Sequence, residues 1–320
     1  MFAFDFDAAV QAPFRMQPGL RRIAPGVPQL TPLAPGSRHQ REKLAVLSAY
    51  GPDALVVRDG FDPSAALDAV CTHAAVEHPA AWQWADGRTH ARTLGTAVHA
   101  DGRIEQTAGG SFGLGDEIAR CLDVLPASWR QAGLLSLAFA EDFAVIDGND
   151  STIPWLAVAL PSHWAPRDKV GRPFAEVHAP VADNGLLVRA AASLSKLVTG
   201  DERWERFVWN ITDQPHLHAH PSRSDPRDGP RWSTTAVDRA YFRSERQTFI
   251  PLPALRQAVF TIHVDVEPLR HVLAGQPGRA RALHDAVESM SEPVLAYRGL
   301  GPVREALLRW LQKQAAERTA

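Results

Sequence analysis

The chain has 320 residues, 45% of them hydrophobic and 22% charged, which is enough apolar mass for one large globular domain or two small ones. Its 34 basic and 36 acidic residues leave a formal net charge of −2, so no global basic field is available to hold nucleic acid or an acidic membrane. Two cysteines, Cys71 and Cys121, exclude a four-thiolate zinc or iron–sulfur site and a disulfide framework. The first residues carry Asp5 and Asp7 instead of a basic stretch, and no apolar run reaches the ~18 residues of a membrane span, so a soluble cytoplasmic protein is expected.

Six prolines between Pro13 and Pro35 predict an extended N-terminal arm over residues 1–40 in place of a packed element, with a single domain over 41–320. A helix is expected over 41–50. A second follows Asp62-Pro63, where the aspartate caps and the proline occupies the first turn; it carries Leu67, Val70 and Cys71 on one face and stops before Pro79. A small hairpin is expected from 93–98 to 103–106 across Asp101-Gly102. The glycine-rich stretch Gly109 to Gly115 lacks the lysine of a nucleotide-triphosphate loop and follows no clear strand, so it reads as a connector.

Residues 134–146 read as one long strand, closed by Asp147-Gly148-Asn149-Asp150 and answered by a strand over 155–160. A helix over 186–197 separates this hairpin from three further strands, 206–212, 240–250 and 258–266, and helices over 279–290 and 303–316 close the chain. Several strands, tight hairpin turns and no strand–helix alternation argue for an α+β protein, an antiparallel sheet with flanking helices.

Four places hold chemistry-bearing residues. Period-two reading of 258–266 puts Phe260, Ile262, Val264 and Val266 on one face and Thr261, His263 and Asp265 on a polar one. His216, His218 and His220 alternate between Pro215 and Pro221; three imidazoles on one side suit a transition metal, but no Glu-containing zinc helix motif accompanies them and the stretch reads first as a solvated turn. Pro173 starts a helical turn that Pro180 ends, placing Phe174, Val177 and His178 on one face, where His178 is a ligand or a satisfied core histidine. Finally, Glu141, Asn210 and the run Arg243-Ser244-Glu245-Arg246 put polar groups inside strand-like segments. A buried charge must be paired or must meet a ligand, so Glu141 either pairs with an arginine across the sheet or faces a pocket.

These residues also carry a resemblance. Pro13-Phe14-Arg15-Met16-Gln17-Pro18-Gly19-Leu20, Glu141-Asp142-Phe143, Pro161-Ser162-His163-Trp164, Lys169-Val170-Gly171-Arg172-Pro173, Val177-His178-Ala179-Pro180-Val181, Trp209-Asn210-Ile211-Thr212-Asp213, Glu245-Arg246-Gln247-Thr248 and Phe260-Thr261-Ile262 resemble, in this order, the haem-dependent oxidative N-demethylases. The glutamine expected before Glu141-Asp142 is missing, and the His216–His220 triplet is unusual for the family. The resemblance implies a PAS-like antiparallel sheet around a b-type haem and O₂-dependent removal of a methyl group, as formaldehyde, from a small amine such as dimethylamine. It makes His178 the expected axial ligand, Arg172 or Arg246 partners of the haem propionates, Trp164 and Trp209 walls of the porphyrin, and Glu245 and Asn210 groups that meet the substrate. No Cys-x-x-Cys-His occurs, so the haem is expected to be held without covalent attachment. With two cysteines and no dinucleotide fingerprint, electrons are expected from a separate reductase subunit. The rival expectations are a PAS-like sensor that binds haem or another ligand without turnover, and a non-haem metal protein using His216, His218 and His220.

Overall fold

The computed structural model describes residues 4–106, 113–179, 181–223, 237–274, 276 and 278–316. Most of the connector Gly109–Gly115 therefore lies outside the described residues. In chain order, the N-terminal part holds α1 (Phe6–Ala9), β1 (Arg21–Arg22), α2 (Arg38–Ala54), β2 (Leu55–Val57) and α3 (Ser64–Glu77). A four-stranded meander follows: β3 (Trp82–Ala85), β4 (Arg88–Ala91), β5 (Thr96–Val98) and β6 (Ile104–Gln106). Next come α4 (Glu117–Asp123), α5 (Arg130–Ala138), β7 (Asp142–Asp147), β8 (Thr152–Ala157), α6 (Phe174–His178) and α7 (Gly185–Val198). The long strands β9 (Trp204–Thr212), β10 (Tyr241–Leu252) and β11 (Gln257–Pro268) precede α8 (Leu269–Leu273), α9 (Arg279–Glu288), α10 (Glu292–Tyr297) and α11 (Arg304–Ala316). The result is an α+β molecule.

The main sheet has seven antiparallel strands in the order β1-β9-β10-β11-β7-β8-β2. Its centre is the β10–β11 hairpin, paired without a break from Tyr241↔Pro268 to Leu252↔Gln257. The largest core packs α2, α3, α5 and the small sheet together, with Trp82, Leu135 and Phe139 fully enclosed. A second core gathers α1 and the C-terminal helices around Trp209, Phe242 and Leu283. A third, built from Ala144, Ile146, Leu156, Val198 and Phe249, lies between the sheet and α7.

Two expectations are corrected. The segment 134–146 is not one strand: residues 130–138 form α5 and only Asp142–Asp147 is extended. Every residue from Ala132 to Ala138 is buried, so the helix is apolar all round and shows no 3.6-residue stripe to distinguish it from a buried strand. The N-terminal arm has little regular structure, as its prolines dictate, yet it is packed. Arg21 and Arg22 add an edge strand to β9, and Gln29, fully buried, donates from Nε2 to the Thr248 hydroxyl (3.0 Å) and the Phe249 carbonyl (2.9 Å). Burial of Phe6, Leu30 and Leu33 compensates the ordering of the arm.

Candidate functional site

Alternation along the sheet builds the site. Arg206, Val208 and Asn210 of β9 share a face with Glu245, Gln247 and Phe249 of β10, because Glu245 lies opposite Val208 and Gln247 opposite Arg206. Phe260 and Ile262 of β11 and Ala144 and Ile146 of β7 continue that face as an apolar floor. Over it sit α6, α7, Trp164 and the arm residues Met16, Pro18 and Leu20. They enclose a cavity of about 370 Å³, polar over β9 and β10 and apolar over β11, β7 and β8.

His178 closes α6 and lines this cavity. Its Nδ1 stands 2.8 Å from the Phe174 carbonyl oxygen. A carbonyl only accepts, so Nδ1 carries the proton and Nε2 keeps its lone pair. The Phe174 ring, 4.0 Å away, packs on the imidazole. Burial, reinforced by Arg206 and Lys169 and opposed by the Phe174 bond, pushes the imidazole down to about 4. At neutral pH the ring is therefore an uncharged donor.

Glu245, 8% exposed, accepts hydrogen bonds from the Ser162 hydroxyl and from Gln247 Nε2 (2.6 Å). Arg243 donates from Nε to Ser162 Oγ (2.7 Å) and from its other nitrogens to the carbonyls of Pro161, His216 and Leu217. Burial pushes its guanidinium down to about 10, with Glu245 opposing the shift. Asn210 lines the cavity with a buried Oδ1 that has no hydrogen-bond partner among the described residues. Trp164 borders the space; Trp209 borders it too, but its indole belongs to the second core, with Nε1 donating to the Ala9 carbonyl (3.0 Å).

The remaining predicted residues lie elsewhere. Arg172 is exposed and is not part of the cavity wall. Arg246 is one residue out of phase with Glu245, lies opposite His263, and binds Glu205 Oε2 (2.8 Å) and the Pro28 carbonyl (2.8 Å). His216, His218 and His220 do not converge: His218 Nδ1 is 2.7 Å from the Ala159 carbonyl and His220 Nδ1 is 2.9 Å from Ser222 Oγ. Among the described residues the three form no cluster with metal-ligand spacing, which removes the non-haem metal expectation for them. His263 is buried and not on an exposed polar face, and it is the partner of Glu141 (3.0 Å), where an arginine or a pocket was expected. The sheet is covered on both faces, so its polar-looking stripe reads as solvent-facing only until α2 and the arm are placed.

Three cavity residues escaped the sequence reading. His163 has a left-handed backbone (φ 61°), is held by a bond from its N–H to the Ala219 carbonyl, and is pushed down by burial and by Arg243. Arg206 and Arg298 are half-buried cations on the cavity wall, each with a buried Nε that has no hydrogen-bond partner among the described residues. Burial lowers both, Arg298 to about 10. Arg298 also donates to the Trp209 carbonyl and lies over the Phe14 ring, 4.5 Å from its centroid.

The family model described as "Haem-dependent oxidative N-demethylase, alpha subunit-like" matches residues 122–308. The chain belongs to this family. The match runs from the end of α4 into the first turn of α11, and so includes the whole sheet face that floors the cavity except for its arm and β2 margins. The cavity of this N-demethylase-family chain fits a haem by its chemistry. It offers the neutral imidazole of His178 with one ring nitrogen uncommitted, an apolar floor, and guanidinium groups of the kind that carboxylates bind. Among the described residues no helix is long and apolar enough to cross a membrane.

Proposed function

We propose that this chain binds a non-covalent haem b in the cavity through His178 and uses O₂ to remove a methyl group, as formaldehyde, from a small secondary amine of the dimethylamine type. The observation that carries the reading is the His178 geometry: the Phe174 carbonyl holds Nδ1–H and leaves Nε2 as the only ring nitrogen able to meet a metal. The bound haem supplies the oxygen activation. The chain supplies the rest.

Trp164, Phe260 and Ile262 keep water from the apolar part of the cavity, where the porphyrin lies in this reading of the fold as PAS-like. Glu245 faces the polar part and takes the substrate ammonium. Ser162 and Gln247 hold its carboxylate in one orientation by donating to it, and Arg243 fixes Ser162. Asn210 Oδ1 offers a second acceptor to the same substrate. The reducing equivalents come from a separate reductase subunit, which agrees with a family described as alpha-subunit-like.

An absorption spectrum tests the first half. The wild-type protein shows a Soret band that His178→Ala loses while its far-ultraviolet circular dichroism is unchanged; a band of equal strength in the variant overturns His178 as ligand. Formaldehyde release from dimethylamine with an electron donor tests the second half. A haem-loaded protein that releases none from a panel of methylamines is a binding module without turnover.

A further inference from the structure

Arg206 presents a physical problem that the proposed function leaves open. It is the third residue of β9, opposite Gln247, and its buried Nε has no hydrogen-bond partner among the described residues. No ion pair reaches it among the described residues, although its neighbours on the same strand are engaged: Glu205 takes Arg21 and Arg246. The surface that Arg206 retains belongs to the cavity, beside His178 and Glu245. Glu245 offsets part of the cost through space, but no carboxylate bonds the guanidinium among the described residues, and a chain keeps such a group where something outside the chain completes it. Its forked donors match a carboxylate.

We propose that Arg206 anchors a carboxylate inside the cavity, and that this carboxylate is a haem propionate. The inference rests on the haem reading and refines it, since it replaces Arg172 and Arg246, which lie outside the cavity wall, and fixes which way the cofactor lies. The propionate edge points over β9, toward the polar half, and the apolar edge over β11 and β7. A substrate carboxylate is the other source of the same chemistry.

The test uses the full chain stripped of cofactor, with haemin, haemin dimethyl ester and the Arg206→Met variant. Haemin is expected to bind wild type roughly 10- to 100-fold more tightly than the dimethyl ester, and Arg206→Met to erase that preference. A variant that keeps the preference overturns the proposal. If wild type binds both porphyrins equally, while N,N-dimethylglycine but not dimethylamine shifts the Soret band in wild type alone, the carboxylate is the substrate's and the propionate assignment falls. If wild type binds neither porphyrin, the haem reading itself fails.

The cofactor-free protein gives a second, independent readout. Removing an uncompensated buried charge raises the melting temperature of Arg206→Met, whereas removing a structural arginine lowers it. A lower melting temperature in the cofactor-free variant means that Arg206 has a partner within the fold, and that overturns the proposal even if haem binding suffers.

Discussion

Two buried charged clusters share the main sheet, and they treat charge in opposite ways. Under α2, Lys43 is fully buried against Asp142 (3.1 Å) and donates to the carbonyls of Phe139 (3.1 Å) and Glu141 (2.6 Å). Asp142 Oδ2 accepts from the Leu160 N–H (2.6 Å), and Glu141 binds His263 (3.0 Å) and the Thr31 N–H (2.9 Å). Every charge there has an internal counterpart. In the cavity, by contrast, Arg206 and Asn210 retain buried atoms without partners, and His178 keeps one nitrogen uncommitted. The difference separates scaffold from site without reference to any relative: a closed cluster holds elements together, and an open one awaits a ligand.

Breaking the closed cluster has the largest expected effect. Lys43→Met leaves Asp142 as a buried carboxylate with no cation beside it and is expected to cost about 3–5 kcal/mol of stability. Urea denaturation of the cofactor-free protein measures it. A loss below about 1 kcal/mol means that Asp142 reaches water or another cation, and the cluster is then not closed. The same cluster ties Leu160 to β7, one residue before the Pro161–Trp164 segment that borders the cavity, so a milder secondary loss of haem affinity is expected in this variant.

Breaking the open cluster moves binding more than folding. His178→Ala is expected to weaken haem binding more than roughly 100-fold, because it removes the proposed ligand to the iron, while the fold survives: among the described residues the side chain's hydrogen bond is to the Phe174 carbonyl of its own helix. Titrating haemin into wild type and variant, followed by the Soret band, decides it.

The two clusters also divide the pH axis. His178 is pushed down to about 4 in the folded chain, against an ordinary 6.5 once unfolded. Between those values the unfolded chain holds a proton that the native ring refuses, so stability falls as the pH drops from about 6.5 toward 4. Glu141 shifts through different causes. Burial raises it, but the His263 and Thr31 hydrogen bonds outweigh burial and hold it below its ordinary 4.5. Its contribution is therefore present above about 4.5 and is lost as the pH falls further. In cofactor-free protein, His178→Ala is expected to flatten the upper part of the stability curve and Glu141→Gln the lower part. Equal flattening in both windows by either variant breaks the division.

The parts of the fold that are legible in the sequence are those that keep a local pattern of residue types. Strands β9, β10 and β11 alternate, α7, α9 and α11 carry stripes, and the turn at Asp147–Asp150 sits where its residues place it. Helix α5 was not legible, because burial on every side removes the period that marks a helix. At the site, residue chemistry pointed to His178, Glu245 and Asn210, all of which line the cavity. It also points to Arg172 and Arg246, neither of which lines the cavity, because residue type alone carries no position. Alternation alone puts Arg246 on the opposite face from Glu245. Arg206 merely opens the strand expected over 206–212, and nothing local to it shows that α6 and α7 cover its face.

Strand phase yields the smallest and most discriminating prediction. Arg246→Ala removes the bond to Glu205, which ties β10 to β9, and the contact with the Pro28 carbonyl, which fastens the arm to β10. The pair is largely enclosed, at 12% and 9% side-chain exposure, so a cost of about 1–2 kcal/mol is expected. Haem affinity is expected to stay within roughly twofold, because neither residue borders the cavity. Arg172→Ala, at an exposed position, is expected to change stability by less than about 0.5 kcal/mol and affinity not at all. Haemin titration and urea denaturation of these two variants beside Arg206→Met separate arginines that share a chemistry but not a face. If Arg246→Ala loses haem as strongly as Arg206→Met, the cofactor reaches the arm side of the sheet, and the assignment of one open and one closed cluster has to be redrawn.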